Sequence, residues 1–331
     1  MRTSRTLIHF AGAVIVASLA SPAAAQRQAA DPAAGFPSRP IRLIVPFAPQ
    51  GPNDLLARMV GARLTESWGQ QVVVDNRPGG GTVIGTDLAM RAPADGYTML
   101  MLSTSTAVNP SLRSSLPYDT LKDLQPLINL AVSPNILVSH PSVAAKSIAE
   151  LLALAKAKPG EITYASGGTG AATHLAGELL ANMGGVKMTH VPYKGANPAT
   201  IDLLGGRVSW MFGTILPTLP HVNAGKLRAL GISSLKRAPT LPDVPAIAET
   251  LPGFEAVSFY GIGLPAGAPA AVLAKLNAEI ARIITMPETR EQLRKQGAEA
   301  VGNSQAEFTA FFRGEMKKWA KVVKEAGIKA D

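Results

Sequence analysis

Cysteine is missing from all 331 residues, which excludes a disulfide framework, a thiolate metal site and any lipid-modified cysteine that would tether an exported chain. Metal binding would then rest on His9, His140, His174, His190 and His221. No two of these stand three or four residues apart, the spacing that puts two imidazoles on one helix face, so neither a metal nor another cofactor is expected. Aromatic residues are only 5% of the chain and the basic residues are scattered singly, which leaves no stacking platform or dense cationic stripe for nucleic acid. No Gly-x-Ser-x-Gly elbow occurs, so a hydrolase triad has no nucleophile of that kind. Beyond the N-terminus no apolar run reaches membrane-spanning length.

What is present begins with an address. Arg2 and Arg5 precede an apolar run from Leu7 to Leu19 and then Ala23-Ala24-Ala25, the pattern of a signal peptide over residues 1–25, cleaved after Ala25. The run is too short to anchor in a bilayer, and the two arginines are not adjacent, which favours the Sec over the Tat route. The product expected is a soluble, monomeric periplasmic protein of about 300 residues, enough for two domains. Formal net charge is +9 at pH 7, two units of which, Arg2 and Arg5, lie in the leader; a basic surface favours small anionic partners.

Short apolar, β-branched segments predict strands at Ile41 to Val45, Gln71 to Asp75, Thr98 to Leu102, Ile136 to Ser139, Ile162 to Ala165, Lys187 to Val191, Val208 to Phe212 and Arg228 to Ile232. Helical patterns separate most of them, which reads as parallel sheets of the α/β class. Ser147 with Glu150 and Ser304 with Glu307 form capping boxes, and Pro287 and Gly297 punctuate a further helix. The last helix spaces Phe308, Phe311, Phe312, Met316, Trp319 and Val323 for packing. Crossings between domains are expected at Pro126 to Pro134 and at Ala238 to Pro245, both interrupted by proline.

Two segments share one design, an apolar strand entering a Gly-rich loop that opens into a helix: Val45 to Leu56 and Ser166 to Leu175. Such a junction leaves backbone N–H groups free at the positive end of a helix dipole, a seat for an anion. In the first, Phe47 walls the pocket, Gly51 frees the backbone, Pro52 suits the first turn, and Asn53 and Asp54 either cap or reach inward. In the second, Ser166, Thr169 and Thr173 offer hydroxyls, the amides from Gly170 to Thr173 open the helix, and His174 is a further candidate donor. Ser103 and Thr104 end a strand where open α/β sheets bind ligands. Two seats in different domains suggest a clamp for a small acid. Gly168-x-Gly170-x-x-Thr173 lacks the third glycine of a dinucleotide fingerprint and the acidic ribose partner beyond it. Ser233-x-x-Lys236 matches the Ser-x-x-Lys pattern of penicillin-recognising enzymes, but no Ser-Asp-Asn or Lys-Thr-Gly accompanies it.

Several segments together resemble the Bug receptors, the substrate-binding proteins of tripartite tricarboxylate transporters: Pro40 to Pro49, Asp75-Asn76-Arg77-Pro78-Gly79, Ala94 to Thr98, Tyr164-Ala165-Ser166, His174-Leu175-Ala176, Val191-Pro192-Tyr193-Lys194-Gly195 and Asp202 to Gly206. The resemblance implies a two-lobed α/β periplasmic binding protein of the Venus-flytrap type, with a mainly parallel sheet flanked by helices in each lobe. It implies lobe 1 from residues 26–128 and 241–331 and lobe 2 from residues 129–240. A ligand site between the lobes would include Phe47, Ala48, Pro49, Gln50, Gly51, Asn53, Asp54, Ser103, Thr104, Ser166, Gly168, Thr169, Gly170, Ala171, Thr173, His174, Tyr193, Gly213, Ser258 and Tyr260. It would take a small mono- or dicarboxylate, aromatic or aliphatic, for delivery to membrane transporter subunits or a sensor domain. No catalysis is implied; the alternative reading is an exported α/β hydrolase acting on a small ester or amide. Two departures stand out: the family's Pro-Gly-Gly is Pro49-Gln50-Gly51 here, and Ala171 replaces a serine.

Overall fold

The structure is a computed structural model describing residues 33–329 other than 194; the leader expected at residues 1–25 lies outside the described residues. Along the chain run strands β1 (Ile41–Val45), β2 (Val72–Asn76), β3 (Thr98–Ser103), β4 (Leu124–Ser133), β5 (Asn135–Ser139), β6 (Thr163–Ser166), β7 (Thr189–Pro192), β8 (Trp210–Thr214), β9 (Arg228–Ile232), β10 (Ser258–Pro265) and β11 (Glu299–Ala300). The helices are α1 (Pro52–Trp68), α2 (Val83–Met90), α3 (Thr104–Leu112), α4 (Ile148–Ala157), α5 (Ala172–Gly184), α6 (Ala196–Leu204), α7 (Ile215–Asn223), α8 (Ala270–Thr285), α9 (Pro287–Lys295) and α10 (Gln305–Ala326). Two sheets result, ordered β11-β4-β10-β3-β1-β2 and β7-β6-β8-β5-β9. This is a two-lobed α/β fold, and both sheets are mixed rather than mainly parallel. In the first, β1 runs parallel to β2 and β3, while β10 is antiparallel to β3 and β4. In the second, β6 runs parallel to β7 and β8, while β5 is antiparallel to β8 and β9.

The chain passes from the first sheet to the second at the last residue of the expected crossing, Pro126 to Pro134. Residues 124–133 are a strand of the first sheet, and Pro134 alone separates it from β5 in the second. Pro126 is tolerated because β4 is irregular where it meets Gly263, with a register shift between Ile262 and Gly263. The expected crossing at Ala238 to Pro245 is corrected. Ala238, Ile247, Phe254 and Ala256 are all buried in the apolar clusters around the second sheet, and the chain rejoins the first only at β10.

A buried polar knot ties the two crossings together. Ser233 Oγ accepts the Asn135 N–H and donates to the Ala256 carbonyl, each at 2.8 Å, and Asn135 Nδ2 donates to that carbonyl at 3.2 Å. Ser233 is fully buried, so the serine of the Ser-x-x-Lys pattern is committed to the fold. Ser233→Ala should cost about 1–3 kcal/mol by leaving Asn135 N–H and the Ala256 carbonyl underpaired, read as a lower urea midpoint at unchanged slope.

The capping boxes form as expected at Ser304 and Glu307, whereas at Ser147 the hydroxyl accepts the Glu150 N–H while Glu150 returns its bond to Lys146 N–H. The two ends of α10 pack in different clusters. Phe308 and Phe312 join Phe259 and Leu102 of the first sheet, while Trp319, Val322 and Val323 join Tyr164 and Trp210 of the second and Leu175 of α5.

Candidate functional site

The carboxyl ends of β1, β2 and β3 share one edge of the first sheet, where Tyr260 at the start of β10 pairs with Ser103, and Ser258 pairs with Ser133 at the end of β4. In the second sheet the ends of β6, β7 and β8 share an edge with the start of β5, since Asn135 pairs with Thr214. One residue, Pro134, joins β4 to β5, so these two edges meet there. Helix α3 then spans from one to the other. It begins beside Ser103, and at its far end Leu112 Cδ1 lies 2.9 Å from where a Cβ on Gly170 would stand. At 1.5 Å per residue the helix is about 14 Å long, and it runs from the edge carrying Ser103 to the loop carrying Gly170.

The first junction is shaped by Asp54. This residue, 2% exposed, accepts the Gln50 N–H at 2.9 Å, Arg58 Nε at 3.0 Å and Asn76 Nδ2 at 2.9 Å, and Asn76 also donates to the Phe47 carbonyl at 3.1 Å. Burial pushes the Asp54 carboxyl up, but the bonds from Arg58, Gln50 and Asn76 outweigh it and hold the pKa below the ordinary carboxylate value. With both oxygens engaged, Asp54 holds the loop instead of reaching for ligand. It keeps Gln50 at φ 68°, a left-handed conformation that strains any residue but glycine. Pro52 has no N–H, and the amides of Gly51, Asn53 and Asp54 have no partner among the described residues. Asn53 Oδ1 in the same turn, and Ser103 Oγ and Thr104 Oγ1 at the end of the neighbouring strand β3, are buried without hydrogen bonds. Buried polar atoms without a protein partner are free to bond a polar ligand.

In the second junction the amides divide. Gly167 N–H donates to Thr173 Oγ1 at 3.2 Å, Gly168 N–H to Ser166 Oγ at 3.1 Å, Gly170 N–H to His174 Nδ1 at 3.0 Å, and Ala171 N–H to the Gly168 carbonyl at 3.1 Å. Gly170 and Ala171 are therefore occupied, against the expectation that the amides from Gly170 onward would all be open. Those of Thr169, Ala172 and Thr173 have no partner among the described residues. His174 is 4% exposed and stands behind the loop as its acceptor, not in front as a donor.

Other expected residues divide likewise. Tyr193 donates its hydroxyl to Asp202 Oδ2 at 2.7 Å, and Gly213 is covered by the Thr218 hydroxyl, 2.5 Å from where a Cβ would stand. Tyr260 lies on the shared edge, its pKa pushed up by burial to about 12, with no hydroxyl partner among the described residues. Its neighbour Phe259 points away into the ring cluster of Phe308, Phe311 and Phe312. Sequence reasoning missed the roles of Asn76, Asn135 and His190. A terminal Asn after a strand hints at the first; the other two depend on strand register. Among the described residues no group of three His, Asp or Glu is placed to hold a metal, and no helix is long and apolar enough to cross a membrane.

A family model described as tripartite tricarboxylate transporter family receptor matches residues 56–328. Protein BugT of Bordetella pertussis is 39% identical over 297 residues, covering 89% of this chain and 91% of BugT. Among solved structures, Rpa4515 of R. palustris with adipate is 36% identical with a TM-score of 0.76, covering 89% of this chain and 99% of that one. MatC (Rpa3494) from Rhodopseudomonas palustris with bound malate is 29% identical with a TM-score of 0.72, covering 87% and 100%.

Proposed function

We propose, from the premise that the chain belongs to the tripartite tricarboxylate transporter family of receptors, that it captures a small mono- or dicarboxylate between its two lobes without altering it. One observation carries the reading: the hydroxyls of Ser103 and Thr104 are buried and unpaired beside the open amides of Gly51, Asn53 and Asp54. A carboxylate there would accept from hydroxyls and amides at once, while the open amides of Thr169, Ala172 and Thr173 offer a second seat for the other end of the acid. The acids bound by Rpa4515 and MatC, adipate and malate, support this ligand class. The leader pattern supports a periplasmic site of action, and the family supports delivery to membrane transporter subunits. Against the hydrolase alternative stands Ser233, which lies buried in the polar knot at the crossings.

Charge-assisted hydrogen bonds contribute about 1.5–3 kcal/mol each, so a few at each seat offset the losses of association and reach roughly micromolar affinity. At about a hundred times Kd, a ligand stabilises by about 2.7 kcal/mol, which for a protein of this size raises Tm by roughly 5–10 °C. A thermal-shift panel of linear and hydroxylated dicarboxylates, monocarboxylates and their methyl esters tests this. Saturable shifts with acids, none with esters, and quantitative recovery of unaltered acid are expected. No response to any acid, or consumption of one, overturns the reading.

A further inference from the structure

Behind the second loop, the rings of His174 and His190 lie face to face, centroids 3.7 Å apart and planes 11° from parallel. His190 packs on Tyr164 at 5.0 Å, and Tyr164 stacks on Trp210 at 4.9 Å. Each imidazole is tied to the loop. His174 Nδ1 accepts the Gly170 N–H at 3.0 Å. His190 Nε2 lies 2.6 Å from Ser166 Oγ, which accepts the Gly168 N–H and reaches the Gly168 carbonyl, both at 3.1 Å. Two amides of one loop thus take their direction from one stacked pair.

We propose that His174 and His190 are positioning residues for the second seat, and that protonation of the pair loosens the loop and weakens ligand binding; this rests on reading the junctions as a carboxylate site. His174 Nδ1 accepts a bond only while it carries no proton. A proton there sets two N–H donors head to head, and the Gly170 amide must turn away. A proton on His190 Nε2 makes that nitrogen a donor, so Ser166 Oγ must accept from it as well as from the Gly168 N–H, with its one hydrogen left to the Gly168 carbonyl. Stacked at 3.7 Å, the rings resist being charged together.

The groups facing them are few. Tyr164 comes from β6 and Glu178 from α5, its Oε1 3.7 Å from His174 Nε2, and the Tyr164 hydroxyl donates to that same carboxylate. Strand β8 brings uncharged Trp210. Glu325 of α10 accepts from Asn182, and Leu112 from α3 is apolar, while Arg113 beside it reaches toward Gly81 instead. Glu178 favours an imidazolium. Burial, and after it the neighbouring His174, oppose one at His190 and hold its pKa down to about 4.

The test begins without ligand, on protein labelled with 15N-glycine. From about pH 7 to about pH 4, the interval that brings His190 to half protonation, the Gly170 and Gly168 amide resonances should move together and their exchange with water, corrected for its intrinsic pH dependence, rise at least roughly tenfold, while the fold persists. His174→Gln, whose amide oxygen accepts a bond without titrating, should freeze the Gly170 resonance. His190→Gln, the second variant should the first not fold, should freeze that of Gly168. A Gly170 resonance that stays still in the folded wild type overturns the proposal.

Adipate serves as probe for the binding arm. Its Kd, expressed per adipate dianion so that the ligand's own protonation is removed, should weaken at least about fivefold over that pH interval in the wild type and at most about twofold in the variant. Equal pH dependence in both proteins also overturns the proposal. Adipate failing to bind the wild type at neutral pH counts against the carboxylate reading instead, and the glycine resonances then decide the role of the histidines.

Discussion

Asp54→Ala is expected to weaken carboxylate binding roughly 30- to 100-fold, about 2–3 kcal/mol, and to lower folding stability by a similar amount. The side chain touches no position a ligand would fill, so the effect comes through the loop. Removing the carboxylate frees the Gln50 N–H and takes one of the two bonds of Asn76 Nδ2, each held at 2.9 Å in the intact protein, and it also releases the charge-assisted bond from Arg58, a kind worth about 1.5–3 kcal/mol. Gln50 at φ 68° is a strained conformation, worth roughly 1–2 kcal/mol, that persists only while its N–H is held. Once released, the residue relaxes to negative φ and turns the Gly51 and Asn53 amides out of register.

Gln50→Gly supplies the control. Glycine adopts positive φ without strain, so the double variant should recover part of the lost affinity, and the single change should leave affinity within about threefold of wild type while adding up to about 1 kcal/mol of stability. Calorimetry on folded protein, with adipate as probe, reads both. Undiminished binding by Asp54→Ala would remove this residue from any part in shaping the seat. The pH dependence separates this device from the histidines. Asp54 has a pKa below its ordinary value of 3.8, so its contribution is present above that value and is lost as pH falls through the lowered folded pKa. His190, depressed from 6.5 to about 4, contributes stability that is complete above 6.5 and is lost as pH falls from there toward 4. Acid sensitivity beginning near pH 6 therefore reports His190, not the first loop.

Much of this fold is legible along the chain, and the parts that are not share a cause. Strands β1 and β9 coincide with their expected ranges, β1 as a β-branched run and β9 as a short, largely apolar segment that follows the Ala224-Gly225 turn. β4 and β10 escape notice. Both are antiparallel and buried, so no alternation marks them, and each carries residues that usually break strands: Pro126 in one, Gly261 and Gly263 in the other. Gly261 is required by packing, since a Cβ there would stand 2.3 Å from the Phe308 ring across about 47 residues of sequence.

The site follows the same rule. A Gly-rich loop between strand and helix can be found by spacing, but which of its amides stay open depends on acceptors brought from elsewhere. His174 closes Gly170 from within the loop's own helix, a contact visible only once the ring orientation is known. Asp54 is the converse case: a charged residue at the start of a helix invites a role in binding or capping, and three donors converging from Gln50, Arg58 and Asn76 decide for neither.

Trp319→Ala should lower stability by about 3–5 kcal/mol, the range for emptying a large buried aromatic site. Trp319 is 1% exposed and packs with Tyr164, Trp210 and Leu175, while its Nε1 donates to Glu315 at 2.8 Å; the truncation leaves both a cavity and a buried carboxylate short of one donor. Phe308→Ala, eleven residues earlier on the same helix, should cost a comparable amount by emptying the ring cluster around Phe259. The informative quantity is how the two combine. If α10 makes the lobes fold as one unit, each variant lowers the midpoint of a single guanidinium transition, and the sites, too far apart to touch, add in the double variant. If the lobes fold separately, Trp319→Ala shifts only a transition belonging to the second sheet, and the curve splits in two. The packing of α10 favours the first outcome, because Phe308 and Phe312 sit in the first sheet's cluster and Trp319, Val322 and Val323 in the second's, so neither lobe can open without losing contacts with the same helix.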